Sequence, residues 1–254
     1  MMWYVSCCCK CYKDVPSSSW LFALSFQDHL GVTNTQLVLE QPELAKMYKN
    51  KSVAEQHSVD LSWRLLMQPF YQNLQQAIFA TPDEYVRFRQ LVVNSVMATD
   101  IMDPDLKKLR NKRWEKAFAT KNQDSATQED INRKATIVIE HLIQASDVSH
   151  TMQHWHIYRK WNERLFEEMY KAHLLFRSKT NPADNWAASE IGFFDYYIIP
   201  LAKKLNDCGV FGVSSFEYLD YAQRNRDEWK IKGEQIVAEM VQSVNDKLFQ
   251  RQEI

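Results

Sequence analysis

From Asn34 onward the apolar side chains recur at helical intervals, and the chain reads as helix almost throughout. Pro42 stands where proline favours the first position of a helix, here one running through Tyr48. Ser52-Val53-Ala54-Glu55 has the form of a capping box, with the serine accepting a backbone N–H and the glutamate reaching back. The helix it opens carries Val53, Val59, Leu61, Trp63, Leu65 and Leu66 on its apolar spacing. Thr81-Pro82-Asp83 leads into a second such helix, Glu84 to Met97, with Tyr85, Phe88, Leu91, Val92 and Val96 on one stripe. Asp103-Pro104-Asp105 breaks the pattern, and the charged stretch 107–134 reads as an exposed helix followed by a mobile loop. Thr136 to Gln144 reads as a buried helix. His154 to His173 is amphipathic, with Trp155, Tyr158, Trp161, Leu165, Phe166 and Met169 at core spacing. A helix from Glu190 to Leu205 should be kinked or restarted by Pro200. After a loop marked by Gly209 and Gly212, Phe216 to Phe249 forms a long amphipathic helix. There is no internal repeat and no hairpin signal, so the predicted fold class is all-α.

Composition agrees with this reading. The 254 residues include only 5 glycines and 7 prolines, too few for the turns of a β-sandwich or a Rossmann sheet. Eight tryptophans and 13 phenylalanines can fill a large core. A formal net charge of −1 gives no bulk attraction to nucleic acid or anionic lipid. The basic positions after residue 107 are soon followed by acidic ones, which favours a solvated face over a nucleic-acid patch. No run approaches the ~20 apolar residues of a membrane span, and the N-terminus lacks the basic region and cleavage site of a signal peptide. Four of the 5 cysteines fall between Cys7 and Cys11. They lack the distant second half of a zinc site, and read either as an acylated segment or as sequence extraneous to the domain. Residues 1–24, which contain the breaker Pro16-Ser17-Ser18-Ser19, are therefore expected to lie outside the domain, and the protein is expected in the reducing cytoplasm.

Several polar residues sit where chemistry is possible. Asp147 lies between an apolar helix and a Trp-rich one; it could give a cation a compact, charged oxygen ligand, or cap a helix. Glu55 could serve the capping box, and Asp100 a turn ahead of Pro104. His150 and His154 have i, i+4 spacing but no third ligand follows, so they read as a polar junction. His141 reads as a helix-face residue. Phe193 fits either a core position or an aromatic platform for a base.

Taken in order, Ser52-Val53-Ala54-Glu55-Gln56-His57, Thr99-Asp100-Ile101, Ser146-Asp147-Val148-Ser149 and Glu190-Ile191-Gly192-Phe193 resemble segments of the class I 3',5'-cyclic nucleotide phosphodiesterase catalytic domain. The resemblance runs from about Asp28 to Leu205. It implies a compact multi-helix bundle of the HD-domain/phosphodiesterase type, N-terminally truncated and occupying residues 25–254. It further implies hydrolysis of cAMP, cGMP or both to the 5'-monophosphate in signal transduction, with zinc and magnesium or manganese as cofactors. Asp147 would then be a metal ligand. Asp28, His29, Glu55 and Asp100 would support the ligands from behind. Glu190 and Phe193 would bind the nucleotide, Glu190 standing where the family has a glutamine. Two features depart from the family. The leading His-Asp of one ligand motif is Ser25-Phe26 here, and His-Asn-x-x-x-His, which carries the general acid, is missing. No residue is therefore assigned as catalytic. The alternative reading is an inactive helical fragment that binds a nucleotide or a partner.

Overall fold

The computed structural model describes residues 33–118, 127–209 and 211–252, and among these residues it contains helices and turns but no strand. The expected all-α class is therefore what forms. Asp28, His29 and the cysteine cluster lie outside the described residues. The chain divides into two compact units, one ending at Asp147 and the other beginning at Val148.

The first unit contains α1 (Asn34–Glu40), α2 (Pro42–Met47), α3 (Val53–Leu66), α4 (Gln72–Ile78), α5 (Pro82–Met97), α6 (Pro104–Phe118) and α7 (Gln128–Asp147). Helix α5 begins at Pro82, two residues before the expected Glu84, because Thr81 and Glu84 form a reciprocal capping box. The box expected at Ser52 does not form. Ser52 has φ 40 and makes no side-chain cap bond, because its hydroxyl is engaged elsewhere. Asp103 caps α6 by accepting from the N–H groups of Asp105 and Leu106. The charged stretch expected to be a loop is already helical from Gln128. Two apolar clusters build the interior. Leu37, Ala45, Val53 and Ala54 pack beneath Val38, Leu44 and Tyr48, while Val59, Val92 and Val96 pack with Phe88 and Val93. Ile137 and Ile143 bury one face of α7, and Trp114 of α6 lies 4.4 Å from the His141 ring. His141 is thus a buried packing residue.

The second unit contains α8 (Trp155–Leu174), α9 (Trp186–Phe193), α10 (Ile199–Asp207) and the long α11 (Ser215–Gln252). Helix α11 packs along α8, α9 and α10. Tyr158, Leu165 and Phe166 of α8 are buried as expected, whereas Trp155, Trp161 and Met169 are only partly covered. The expected restart is seen at Pro200, which is the second residue of α10. A π-helical turn, Phe194–Ile198, joins α9 to α10, with the Ile199 N–H bonded to the Phe194 carbonyl. The wider turn tolerates the N–H that proline lacks. Gly233 lets α11 approach α9, since a β-carbon there would lie 2.7 Å from the Ala187 β-carbon. Asn225 of α11 donates to the Thr151 and Gln153 carbonyls, tying down the turn that precedes α8.

Candidate functional site

Three carboxylates gather in the first unit. Glu55 enters from the first turn of α3, Asp100 from the loop after α5, and Asp147 from the last residue of α7. All three are buried, with exposures of 4%, 2% and 1%. Asn34 is the hub between two of them. Its Nδ2 donates to Glu55 Oε2 at 2.9 Å and to Asp100 Oδ2 at 3.4 Å, while its Oδ1 accepts the Ala54 N–H at 2.9 Å. Asn34 escaped the sequence reading because an asparagine at a helix start looks like an ordinary turn residue.

Asp100 is saturated. Ser52 Oγ donates to Oδ2 at 2.6 Å, and the N–H groups of Met102 and Asp103 donate to Oδ1, both at 3.1 Å. Asp100 thus closes the turn ahead of Pro104. The loop that delivers Ser52 is strained, for Lys49, Asn50 and Ser52 have φ values of 55°, 59° and 40°. A β-carbon disfavours that region, by roughly 1–2 kcal/mol per residue. The surrounding packing holds it, and the result is a hydroxyl aimed at Asp100.

Asp147 stands differently. It ends α7 and caps no helix, and its Oδ1 has no hydrogen-bond partner among the described residues. Burial, followed by the charge of Glu55, pushes its carboxyl well above the usual aspartate range. Burial also pushes Glu55 up, with Asp100 adding to the effect, to about 7. Gln144, one turn before Asp147, donates to the Ala98 carbonyl at 3.0 Å and fixes α7 against the end of α5.

As a metal centre the described cluster is incomplete. A buried carboxylate oxygen without a donor, beside a second acid that resists ionising, suits a cation. Yet among the described residues no three His, Cys, Asp or Glu side chains converge on a point that could hold one. The described residues therefore fit one ligand of a metal site and not a full coordination set.

Glu190 and Phe193 belong to the second unit, on α9. Tyr158 donates its O–H to Glu190 Oε2 at 2.5 Å, and its phenol oxygen accepts from Trp229 Nε1 at 2.6 Å and from Asn162 Nδ2 at 3.3 Å. Trp186 Nε1 closes the chain by donating to Asn162 Oδ1 at 3.0 Å. The polarity of this network keeps Glu190 Oε2 an acceptor. Phe193 is 3% exposed and stacks with Tyr197 at 5.4 Å. His150 is buried, whereas His154 is exposed and meets the Tyr221 hydroxyl at 2.9 Å. The two do not share a helix face, since α8 begins only at Trp155.

Residues 23–211 match the family described as 3'5'-cyclic nucleotide phosphodiesterase. The probable 3',5'-cyclic phosphodiesterase pde-3 of Caenorhabditis elegans is 26% identical over 82% of this chain and 31% of its own length. The dual specificity calcium/calmodulin-dependent 3',5'-cyclic nucleotide phosphodiesterase 1B of Bos taurus is 27% identical over 78% of this chain and 36% of its own. The matches thus span about a third of these relatives. In fold, the chain is similar to the phosphodiesterase domain of the RhoPDE fusion protein from the choanoflagellate Salpingoeca rosetta. The TM-score is 0.64 at 22% identity, covering 87% of this chain and 68% of that one.

Proposed function

Because the chain belongs to the 3'5'-cyclic nucleotide phosphodiesterase family, we propose that its helical domain, residues 25–254, hydrolyses a 3',5'-cyclic nucleotide, cAMP, cGMP or both, to the 5'-monophosphate. The observation that carries this reading is the Oδ1 of buried Asp147, which has no hydrogen-bond partner among the described residues and lies near Glu55. A fold spends stability to keep such an oxygen open, and a cationic ligand would recover it.

Opening a cyclic phosphodiester requires water to add to phosphorus and the 3'-oxygen to leave with a proton. Glu55, pushed up to about 7, exchanges a proton in the neutral range, which suits it to proton handling. Asn34 holds its carboxylate, and Ser52 holds that of Asp100. A divalent cation, zinc with magnesium or manganese in this reading, would supply Lewis-acid polarisation of the phosphoryl group. The described side chains offer it the Asp147 oxygen. Asp28 and His29 would support the same ligand set. Glu190 and Phe193 would recognise the base, the first as an acceptor fixed by Tyr158 and the second by its ring face. No helix among the described residues is long and apolar enough to cross a membrane, and a cytoplasmic setting is part of this reading.

The test is hydrolysis of cAMP and cGMP by the purified chain with magnesium, manganese or zinc, beside Asp147→Asn. Turnover in the parent that disappears in the variant is expected. A folded parent without turnover, or equal turnover in both proteins, would overturn the assignment.

A further inference from the structure

The C-terminal end of α8 closes in a Schellman arrangement. The Phe176 N–H bonds to the His173 carbonyl and the Arg177 N–H to the Ala172 carbonyl, both at 2.9 Å. The left-handed position of this motif favours glycine, but here it holds Phe176, with φ 56. The apolar contact that often accompanies the motif would come from the next residue, which is Arg177. Phe176 is instead 96% exposed, with Leu175 at 71% and Leu174 at 39%. Backbone strain and three exposed apolar side chains thus coincide in one turn. Neither cost is repaid by packing within the described chain.

The segment that forms this turn carries charge of one sign. Between Met169 and Asn181 there is no Asp or Glu, while Lys171, Arg177 and Lys179 are cations and His173 lies among them. Lys171 and Lys247 both pair with Glu167, at 2.5 Å and 2.7 Å, so that trio keeps a net positive charge. An apolar tip rimmed by cations matches the boundary of an anionic bilayer, where rings and aliphatic chains enter the acyl region and cations meet headgroups. An apolar groove on a protein would accept Phe176 but would not require this charge. We propose that the Leu174–Phe176 turn docks the chain peripherally on an anionic membrane surface. With a net charge of −1 over the whole chain, the attraction is local, and one turn gives weak, reversible attachment.

The experiment is cosedimentation of the full chain with vesicles of phosphatidylcholine alone and of equal parts phosphatidylcholine and phosphatidylserine. Binding to the mixed vesicles, weakened by salt and much lower on neutral ones, is expected. Leu175→Ser with Phe176→Gly should abolish it. Phe176→Gly alone should unfold no earlier than the parent, because glycine accepts the positive φ, so a loss of binding cannot be ascribed to misfolding. Arg177→Gln and Lys179→Gln should each weaken binding by about fivefold. A parent that stays in the supernatant, or a tip variant that sediments like the parent, overturns the proposal. Self-association or capture of a protein that depends on the tip, without vesicle binding, would overturn it in favour of a protein partner.

Discussion

Glu190, within α9, and Asp147, at the last residue of α7, are both buried carboxylates, yet their surroundings are opposite. Glu190 receives the Tyr158 hydroxyl, itself fed by Trp229 and Asn162. Asp147 keeps an oxygen with no donor among the described residues, and Glu55 adds to the effect of burial on it. The first arrangement specifies packing, because every member holds its neighbour in one orientation. The second opposes ionisation, through burial and the neighbouring acid. A buried acid is thus held in place or left open according to the donors that reach it.

The contrast can be broken by mutation, and the largest effect is expected at Tyr158. Tyr158→Phe removes the donor of Glu190 and the acceptor of Trp229 and Asn162 together, at a cost of about 4 kcal/mol. Chemical denaturation would measure it, and a loss below about 1 kcal/mol would mean the network is not cooperative. Next in size is a pH effect. Glu55 is raised from 4.5 to about 7, so folding favours its protonated form. Its contribution is full below about pH 4.5 and is lost as pH rises through about 7, a swing of about 3 kcal/mol. Raised Asp147 acts in the same direction. Denaturation curves across this range should show stability falling as pH rises, and Glu55→Gln should remove part of the slope, leaving that of Asp147. A slope unchanged in that variant would place the titration elsewhere.

Asp147→Asn should stabilise the cation-free protein at neutral pH by about 2 kcal/mol, because it removes an acid that ionises freely in the unfolded chain and is kept from ionising by burial in the folded one. The equivalent change at Glu190 has no such gain to make, so a stabilising Glu190→Gln would erase the distinction between the two sites. Smallest is Ser52→Ala, which deletes one donor to Asp100 and should cost about 1 kcal/mol, partly offset if the strained loop relaxes. Thermal unfolding would show it as a small drop in Tm, and an effect as large as that of Tyr158→Phe would mean the loop strain is coupled to more than one hydrogen bond.

The all-helical architecture could be read from spacing because α3, α5, α8 and α11 each bury a face whose period is that of a helix. Boundaries failed where a side chain had a better partner at long range. Ser52 left its expected cap for Asp100, 48 residues away, and no local pattern records that choice. The Thr81 box, by contrast, was written in the Thr-x-x-Glu spacing and forms as such. Pro200 signalled a kink or restart, and the restart is what forms, after a π turn that absorbs the missing donor. At the site, the acids Glu55, Asp100 and Asp147 were visible as motif residues, whereas Asn34 became visible only once α1 and α3 were placed together. The unpartnered oxygen of Asp147 is likewise a property of packing. It depends on which donors fail to arrive, and spacing along the chain does not encode that.

The most direct test of the open carboxylate is thermal unfolding of the parent and of Asp147→Asn at neutral pH, each with and without zinc, manganese or magnesium. If Asp147 is held open for a cation, at least one of these ions should raise the Tm of the parent and leave that of the variant unchanged. An equal shift in both proteins, or no shift in the parent with any of the three ions, would contradict the account.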